Sequence, residues 1–135
     1  MAPVRQVGGR EVFPVGLGCM NITHAYGPPM DERAAKALLV RALDLGYDFL
    51  DTATLYGFGR SEELIGEALR DRRSEYLLAS KCVLGFKDGQ RTLDARPESI
   101  KAACEASLKR LQTDVIDLYY TVSYTHLRAH ETKPN

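Results

Sequence analysis

Residues 49–57 read Phe49-Leu50-Asp51-Thr52-Ala53-Thr54-Leu55-Tyr56-Gly57, and this stretch decides how the rest of the chain is interpreted. An apolar run of strand length ends in an acid, and a tyrosine follows in the next loop. A second apolar run, residues 76–81, ends in Lys81. An acid, a tyrosine and a lysine that follow neighbouring strands can form one proton-transfer site.

Apolar runs of strand length alternate with helix-length segments on both sides of this stretch. The periodicity predicts strands at 15–20, 47–51, 76–81 and 115–120, and helices at 31–45, 61–69 and 97–111. A β-hairpin formed by residues 4–7 and 10–13, with Gly8-Gly9 at its turn, precedes them. This order predicts a parallel α/β sheet in which Asp51 and Lys81 both lie at the carboxyl ends of strands.

Two architectures fit the alternation, a doubly wound sheet and a (β/α)₈ barrel. A doubly wound dinucleotide-binding sheet carries the pattern G-x-G-x-x-G at its first strand-to-helix turn. The corresponding stretch here, Gly16-Leu17-Gly18-Cys19-Met20-Asn21, lacks the third glycine. The Rossmann signal is therefore weak, and periodicity alone leaves both architectures open.

Local signals predict where individual elements begin, end and pack. Asp31 is expected to cap the first helix and Gly46 to end it. The buried stripe of that helix is predicted to be Ala34, Leu38, Ala42 and Leu45. Ser61 is expected to cap the second helix through its hydroxyl, and residues 85–96 are expected to form a polar loop.

Composition narrows the class of protein. The 135 residues include 18 basic and 18 acidic side chains, so the formal net charge is zero and no basic patch recommends a nucleic-acid or membrane partner. Three cysteines show no disulfide or metal-site spacing, and Cys19 and Cys82 are expected to be buried, inert thiols. No signal-peptide or membrane-spanning run is present. We therefore predict a cytoplasmic protein.

The three residues of the predicted site also have plain structural interpretations. Taken singly, each fits a strand-end acid, a half-buried aromatic or a lysine that extends its ammonium to solvent. Together they favour catalysis, because active-site residues gather at the carboxyl-terminal rim of parallel barrels. At ~4 Å and an effective dielectric of about 20, Lys81 would stabilise a Tyr56 phenolate by about 4 kcal/mol. Tyr56 would donate a proton to a developing alkoxide, and Asp51 would keep Lys81 charged.

Several motifs, taken in order along the chain, resemble the aldo-keto reductases. They are Gly16-Leu17-Gly18-Cys19-Met20, Phe49-Leu50-Asp51-Thr52-Ala53, Leu55-Tyr56-Gly57, Ser61-Glu62-Glu63-Leu64-Ile65-Gly66, Ser80-Lys81 and Asp114-Val115-Ile116-Asp117-Leu118-Tyr119-Tyr120. The resemblance runs from about Arg5 to Tyr120. It implies a (β/α)₈ TIM barrel, closed at its bottom by the N-terminal hairpin, that reduces an aldehyde or ketone to an alcohol with NADPH.

The same resemblance assigns roles to individual residues. Asp51, Tyr56 and Lys81 match three members of the family's catalytic tetrad, with Tyr56 as the general acid. Met20 and Asp51 would lie near the nicotinamide ribose and bind the NADP(H) cofactor. The substrate would be a small molecule with a carbonyl group. Oligomeric state and the preference between NADPH and NADH are left open.

The sequence departs from the family pattern after its fourth strand. The family has a histidine two residues after Tyr120, where it would orient the substrate carbonyl, but Thr121 and Val122 follow here. A full barrel needs about 250 residues, so residues 1–120 are expected to form its N-terminal half, with about four β-α units.

Residues 121–135 are expected to be an unstructured and artefactual tail, since 122–132 resemble translated sequencing-adapter sequence. Within it, His126 and His130 are spaced like a pair of metal ligands, but no third ligand is evident and no metal site is predicted. In this family, later strands supply most contacts to the dinucleotide. We therefore predict little or no catalysis from these 135 residues alone.

Two alternatives to the reductase remain. A Schiff-base lyase would use Lys81 as its nucleophile, which requires a desolvated, neutral lysine. A non-catalytic binding or regulatory fragment derived from the barrel would need none of this chemistry. His24 and Tyr26, in the first loop, either line a substrate pocket or serve only as loop residues.

Overall fold

The computed structural model describes residues 3–23 and 27–121. The strands are β1 (Arg5–Val7), β2 (Arg10–Val12), β3 (Leu17–Gly18), β4 (Phe49–Asp51), β5 (Leu77–Cys82), β6 (Leu84–Lys87), β7 (Gln90–Leu93) and β8 (Leu118–Thr121). The α-helices are α1 (Glu32–Asp44), α2 (Arg60–Leu69) and α3 (Pro97–Leu111), and short 3₁₀ helices span Met20–Ile22, Tyr56–Gly59 and Arg70–Glu75.

A four-stranded parallel sheet forms the centre of the described structure. Its strand order is β3-β4-β5-β8, so each strand lies beside the next one of this sheet along the chain. In a doubly wound sheet the order in which strands are added reverses at a switch point. In a barrel each new strand is added on the same side of the sheet. The core lies between the sheet and the helices, and includes Leu39, Leu50, Ile65, Leu78 and Leu111.

The N-terminal hairpin, β1 and β2, forms as predicted. Gly8 and Gly9 have φ of 57° and 79°, which suits a two-residue turn and favours glycine at both positions. The hairpin contacts the amino ends of two sheet strands, because the Phe13 amide donates to the Asp48 side chain and Arg10 donates to the Tyr76 carbonyl. It therefore covers the end of the sheet opposite Asp51 and Lys81.

The predicted ends of α1 are confirmed, but of its predicted buried stripe only Ala42 is buried. Asp31 accepts a hydrogen bond from the Ala34 amide, and Gly46 ends the helix with φ of 95°. The buried residues are Ala35, Leu39, Ala42 and Leu43. Leu38 and Leu45 are 37% and 60% exposed. Two overlapping stripes satisfy the helical spacing in this sequence, and packing of α1 on α2 selects the one offset by a residue.

The predicted polar loop at 85–96 is also wrong, because most of it is a hairpin. Strands β6 and β7 pair antiparallel, and their turn is Asp88-Gly89 with φ of 50° and 79°. Asp-Gly is a strong signal for a two-residue hairpin turn. The polar residues around it obscured the short strands. Since the hairpin continues directly from β5, it projects from the carboxyl end of the sheet.

Within residues 3–23 and 27–121, no helix is long and apolar enough to cross a membrane.

Close packing of α2 against α3 generates a stability prediction at Gly66. A Cβ atom added there would lie 2.5 Å from the Arg110 carbonyl oxygen and 2.7 Å from the Leu111 carbonyl carbon. Alanine favours a helix over glycine by about 1 kcal/mol. Backbone atoms cannot rotate away, so Gly66→Ala should still lower the free energy of unfolding by about 1–3 kcal/mol in urea titration.

Gly18→Ala is the matched control, because a Cβ at Gly18 meets nothing within 4 Å. Its effect should stay within about 0.5 kcal/mol. Equal stability of the Gly66→Ala variant and the wild type would contradict the close approach of the two helices.

Candidate active site

Lys81 lies at the centre of the candidate site. Its Nζ donates to Asp51 Oδ1 at 2.7 Å, to the Thr52 carbonyl oxygen at 3.0 Å and to the Tyr56 hydroxyl oxygen at 3.0 Å. An ammonium has three N–H groups, so each has an acceptor. The structure thus brings the three predicted residues together, while their catalytic role stays a prediction.

Sheet register and one tight turn produce this convergence. Asp51 pairs with Ala79 across β4 and β5, and Lys81 lies two residues further along β5 on the same face. Beyond the strands, the Thr52 amide donates to the Ala79 carbonyl at 2.9 Å. The Tyr56 amide then donates to the Ala53 carbonyl at 3.1 Å. This turn folds the chain back, so that the phenol reaches the ammonium.

The environment of Lys81 holds it in its charged form. Burial by itself would lower the pKa of Lys81, but the hydrogen bonds to Asp51 and Tyr56 outweigh burial and raise the pKa above its ordinary value of 10.5. In its bond with Lys81, the Tyr56 oxygen is the acceptor, so this bond does not use the phenol's proton. The arrangement suits a tyrosine that donates a proton beside a fixed positive charge.

The turn after Tyr56 has an unusual backbone. Gly57 and Phe58 have φ of 60° and 54°, in the left-handed region. A Cβ at Gly57 would lie 2.8 Å from the Thr23 Cβ, so the position requires glycine for space as well as for conformation. The Leu55-Tyr56-Gly57 motif therefore contains both the predicted proton donor and the residue that permits its turn.

Behind the three residues lies a buried polar network that the sequence did not predict. Glu62 is fully buried, and it accepts hydrogen bonds from the Ser80 hydroxyl at 2.6 Å and from Arg110 Nε at 2.7 Å. Arg110 also donates to the Thr54 hydroxyl at 3.3 Å. Ser80 precedes Lys81, and Thr54 lies in the loop that leads to the phenol. The network therefore ties α2 and α3 to the backbone on both sides of the site.

The predicted cap at Ser61 is wrong for a related reason. Gly59, with φ of 97°, occupies the N-cap position of α2. Ser61 is fully buried, and its hydroxyl donates to the Cys19 carbonyl and accepts from the Thr52 hydroxyl, each at 2.9 Å. Residues 61–66 belong to a motif that resembles the family. Nothing in their local pattern distinguishes a buried Ser-Glu pair from an exposed helix start.

Strand β3 leads to Cys19 and Met20, which lie at the same carboxyl end of the sheet as Asp51. The Cys19 amide donates to the Asp51 carbonyl at 2.8 Å, and the half-buried Met20 begins the 3₁₀ helix that follows. Burial, reinforced by the charge of Asp51, raises the pKa of the Cys19 thiol to about 12. Burial also raises the pKa of Cys82. Both thiols are therefore protonated and unreactive at neutral pH, as expected. The cofactor role of Met20 stays a prediction.

A small cavity opens beside the phenol and the ammonium. Its volume is about 80 Å³, and it is lined by Ala53, Leu55, Tyr56, Lys81, Cys82 and Leu84. Mostly apolar walls around a single charged group suit the carbonyl group of a small molecule, placed next to the Tyr56 hydroxyl.

Some predicted features lie outside the described residues. They are His24, Tyr26, His126, His130, Val122 and the rest of the proposed tail. Thr121 ends β8. It is the first of the two residues, Thr121 and Val122, at which the sequence departs from the family pattern. Within the described ranges, no group of three or more His, Cys, Asp or Glu side chains is placed to hold a metal ion.

Comparison with known proteins gives a consistent result. The family model described as the aldo/keto reductase family matches residues 14–124. The Schizosaccharomyces pombe aldo-keto reductase yakc [NADP(+)] is 42% identical over 124 residues, which cover 87% of this chain and 36% of that protein. The chain thus spans little more than a third of that relative.

Solved structures of aldo-keto reductases are similar to this chain in both sequence and fold. Aldo-keto reductase AKR11C1 from Bacillus halodurans, in its holo form, superposes with a TM-score of 0.77 at 38% identity, over 88% of this chain and 39% of that one. An aldo/keto reductase from Klebsiella pneumoniae, in complex with NADP and acetate, gives 0.61 at 31% identity, over 82% and 35%. Together with the sequential parallel sheet, these likenesses confirm the predicted (β/α)₈ barrel class.

The raised pKa of Lys81 predicts how stability depends on pH. The folded state holds the Lys81 proton more tightly than the unfolded state, so the stabilisation is complete below about pH 10 and is lost as pH rises through the raised pKa. Between about pH 8 and about pH 11, the wild type should therefore lose more unfolding free energy in urea titrations than Lys81→Met.

Lys101→Met, at an exposed position of α3, is the control and should lose as much unfolding free energy as the wild type. Equal losses in all three proteins would contradict the ion pair.

Proposed function

This chain belongs to the aldo/keto reductase family, and we propose that Asp51, Tyr56 and Lys81 serve the NADP(H)-dependent reduction of an aldehyde or ketone to an alcohol. The observation that carries the proposal is the Lys81 ammonium, which contacts both the Asp51 carboxylate and the Tyr56 hydroxyl. Residues 1–120 would form the N-terminal half of the barrel, and the substrate would be a small carbonyl compound.

In this proposal each residue has a distinct task. Reduction adds a hydride to the carbonyl carbon and a proton to its oxygen, which forms the alcohol. Tyr56 donates the proton, and Lys81 stabilises the phenolate that remains. Asp51 keeps the ammonium charged and fixes its position through the 2.7 Å ion pair.

The residues at the rim fit the nicotinamide cofactor. Asp51 binds Lys81 through Oδ1 but is 40% exposed, so its carboxylate also presents a surface to which a ribose hydroxyl can donate. Met20, half-buried at the start of the 3₁₀ helix that follows the adjacent strand β3, offers apolar surface. These two residues would hold the ribose of NADP(H), which supplies the hydride when bound.

The charge state of Lys81 favours the reductase over a Schiff-base lyase. A nucleophilic lysine must be neutral, and enzymes achieve this by desolvation or by placing it near another cation. Here the ammonium has a carboxylate partner and a raised pKa. Trapping of a carbonyl compound on Lys81 by borohydride, detected by mass spectrometry, would contradict this assignment.

The proposal predicts that Tyr56→Phe abolishes carbonyl reduction. The test places residues 14–121 in the corresponding region of the S. pombe relative and follows NADPH oxidation by an aromatic aldehyde at ~340 nm. Loss of general-acid catalysis should lower kcat by about 10²–10⁴-fold. KM should change much less, since the aldehyde's binding surface is kept.

Tyr47→Phe is the matched control, because Tyr47 lies before β4 and packs edge-on against Phe13, away from the site. Its kcat should stay within about twofold of the parent chimera. A Tyr56→Phe chimera that retains more than about a tenth of the parent kcat would overturn the role of Tyr56. The unaltered 135-residue chain is assayed in parallel, and it is expected to turn over little or no substrate.

A further inference from the structure

A second cavity adjoins the small one beside Tyr56. Its volume is about 370 Å³, and it is lined by Thr23, Leu55, Gly57, Phe58, Phe86 and Arg91. Leu55 lines both cavities, so the two are neighbours on either side of this residue. Its walls come from Thr23 in the connection after β3, from the loop after β4 and from the β6–β7 hairpin, which all leave the carboxyl end of the sheet.

An aromatic pair forms one wall of this larger cavity. The Phe58 and Phe86 ring centroids are 5.8 Å apart, with the rings inclined at 54°. The two side chains are 74% and 47% exposed, so neither belongs to the core. A joined apolar surface of this kind, next to polar groups, is typical of a binding site.

Backbone strain occurs in both segments that supply this aromatic wall, at Phe58 itself and directly before strand β6. Phe58 has φ of 54°, and Val83, which connects β5 to the hairpin, has φ of 77°. Bulky and β-branched residues rarely adopt these conformations, which cost about 1–2 kcal/mol. Burial does not compensate the strain at Phe58. Strain of this kind is concentrated at functional sites.

Arg91 adds a positive charge to the aromatic wall. It pairs with Phe86 across the hairpin, so both side chains lie on the same face. Among residues 3–23 and 27–121, no acidic side chain forms an ion pair with it. A guanidinium beside two phenyl rings suits a carboxylate carried on an aromatic ring.

We propose that Phe58, Phe86 and Arg91 form a substrate subsite for the carboxylate end of an aromatic aldehyde or ketone whose carbonyl group enters the small cavity at Tyr56. The proposal rests on the proposed function, because it takes the small cavity as the place of reduction. Leu55 would contact the middle of the substrate, between its reacting carbonyl and its anionic end.

Binding of an alcohol product to the 135-residue chain tests the subsite without any turnover. The probes are 4-(hydroxymethyl)benzoate and its methyl ester, which differ in charge but keep the same ring, and their Kd values are measured by NMR titration. The acid should bind about five- to tenfold more tightly than the ester, as expected for one charge-assisted contact near solvent. Equal Kd values for the two probes would overturn the proposal.

Two cations of the same hairpin provide a matched comparison. Arg91→Gln should remove the preference for the acid, whereas Lys87→Gln should keep it, because Lys87 is adjacent to Phe86 and so lies on the other face. Loss of the preference in both variants would show a general charge effect and would contradict a specific contact.

Phe58→Asn separates binding from folding. Asparagine tolerates the left-handed backbone, so the variant should keep or raise the thermal midpoint of the chain while both probes bind more weakly. A lowered midpoint would show that the ring is structural and would overturn its assignment to the subsite.

The subsite and the proposed reaction can fail separately. A preference for the acid that persists in the Tyr56→Phe chain supports the subsite whatever the turnover result. Suppose that the chimera reduces 4-carboxybenzaldehyde and its methyl ester with equal kcat/KM, and that Tyr56→Phe abolishes the reduction of both. The proposed reaction then stands, and the subsite is excluded.

Discussion

One half-buried ammonium organises the candidate site. Lys81 Nζ donates to a carboxylate, a carbonyl and a phenol, so its charge is paired and each of its donors is used. A buried cation without such acceptors would be costly and would tend to lose its proton. The contacts also fix distances between strand β5, the end of β4 and the loop that follows. The position of the Tyr56 phenol beside a fixed charge is therefore a direct consequence of how this lysine is solvated by the protein.

A second ion pair supports the first from behind. Glu62 and Arg110 link α2 to α3, and the hydroxyls of Ser80 and Thr54 complete their hydrogen bonds close to the site. Buried ion pairs add little net stability compared with an apolar core, but they tolerate few alternative arrangements. The apolar cluster between sheet and helices thus supplies most of the driving force for folding. The polar network restricts how the helices dock, and so restricts where the loop to Tyr56 can run.

The rim of the site differs from this interior. Exposed Phe58 and half-exposed Phe86 meet above the sheet on two separate connections, and left-handed backbone at Phe58 and Val83 orients them. Loops on a rigid scaffold can change without disturbing the strands below. The physical division is between a candidate proton-transfer site held by ion pairs and a proposed substrate surface built from strained, solvent-exposed segments.

Much of the architecture follows from local sequence pattern. Strand and helix periods, the Gly8-Gly9 turn, the Asp31 cap and the placement of Asp51 and Lys81 at strand ends were all predicted correctly, because each depends on residues close together in the chain. The Asp88-Gly89 hairpin was detectable in the same way, although its polar flanks were interpreted as a loop.

Tertiary structure alone decided the rest. Which of two stripes α1 buries depends on how α2 docks against it, and the burial of Glu62 depends on an arginine far along the chain. The 3.0 Å contact between Lys81 and Tyr56 likewise depends on strand register and on a turn that requires Gly57. Periodicity indicates which residues share a face. Only the packed elements determine which faces meet, because distances between remote residues are set by the whole core rather than by any segment of it.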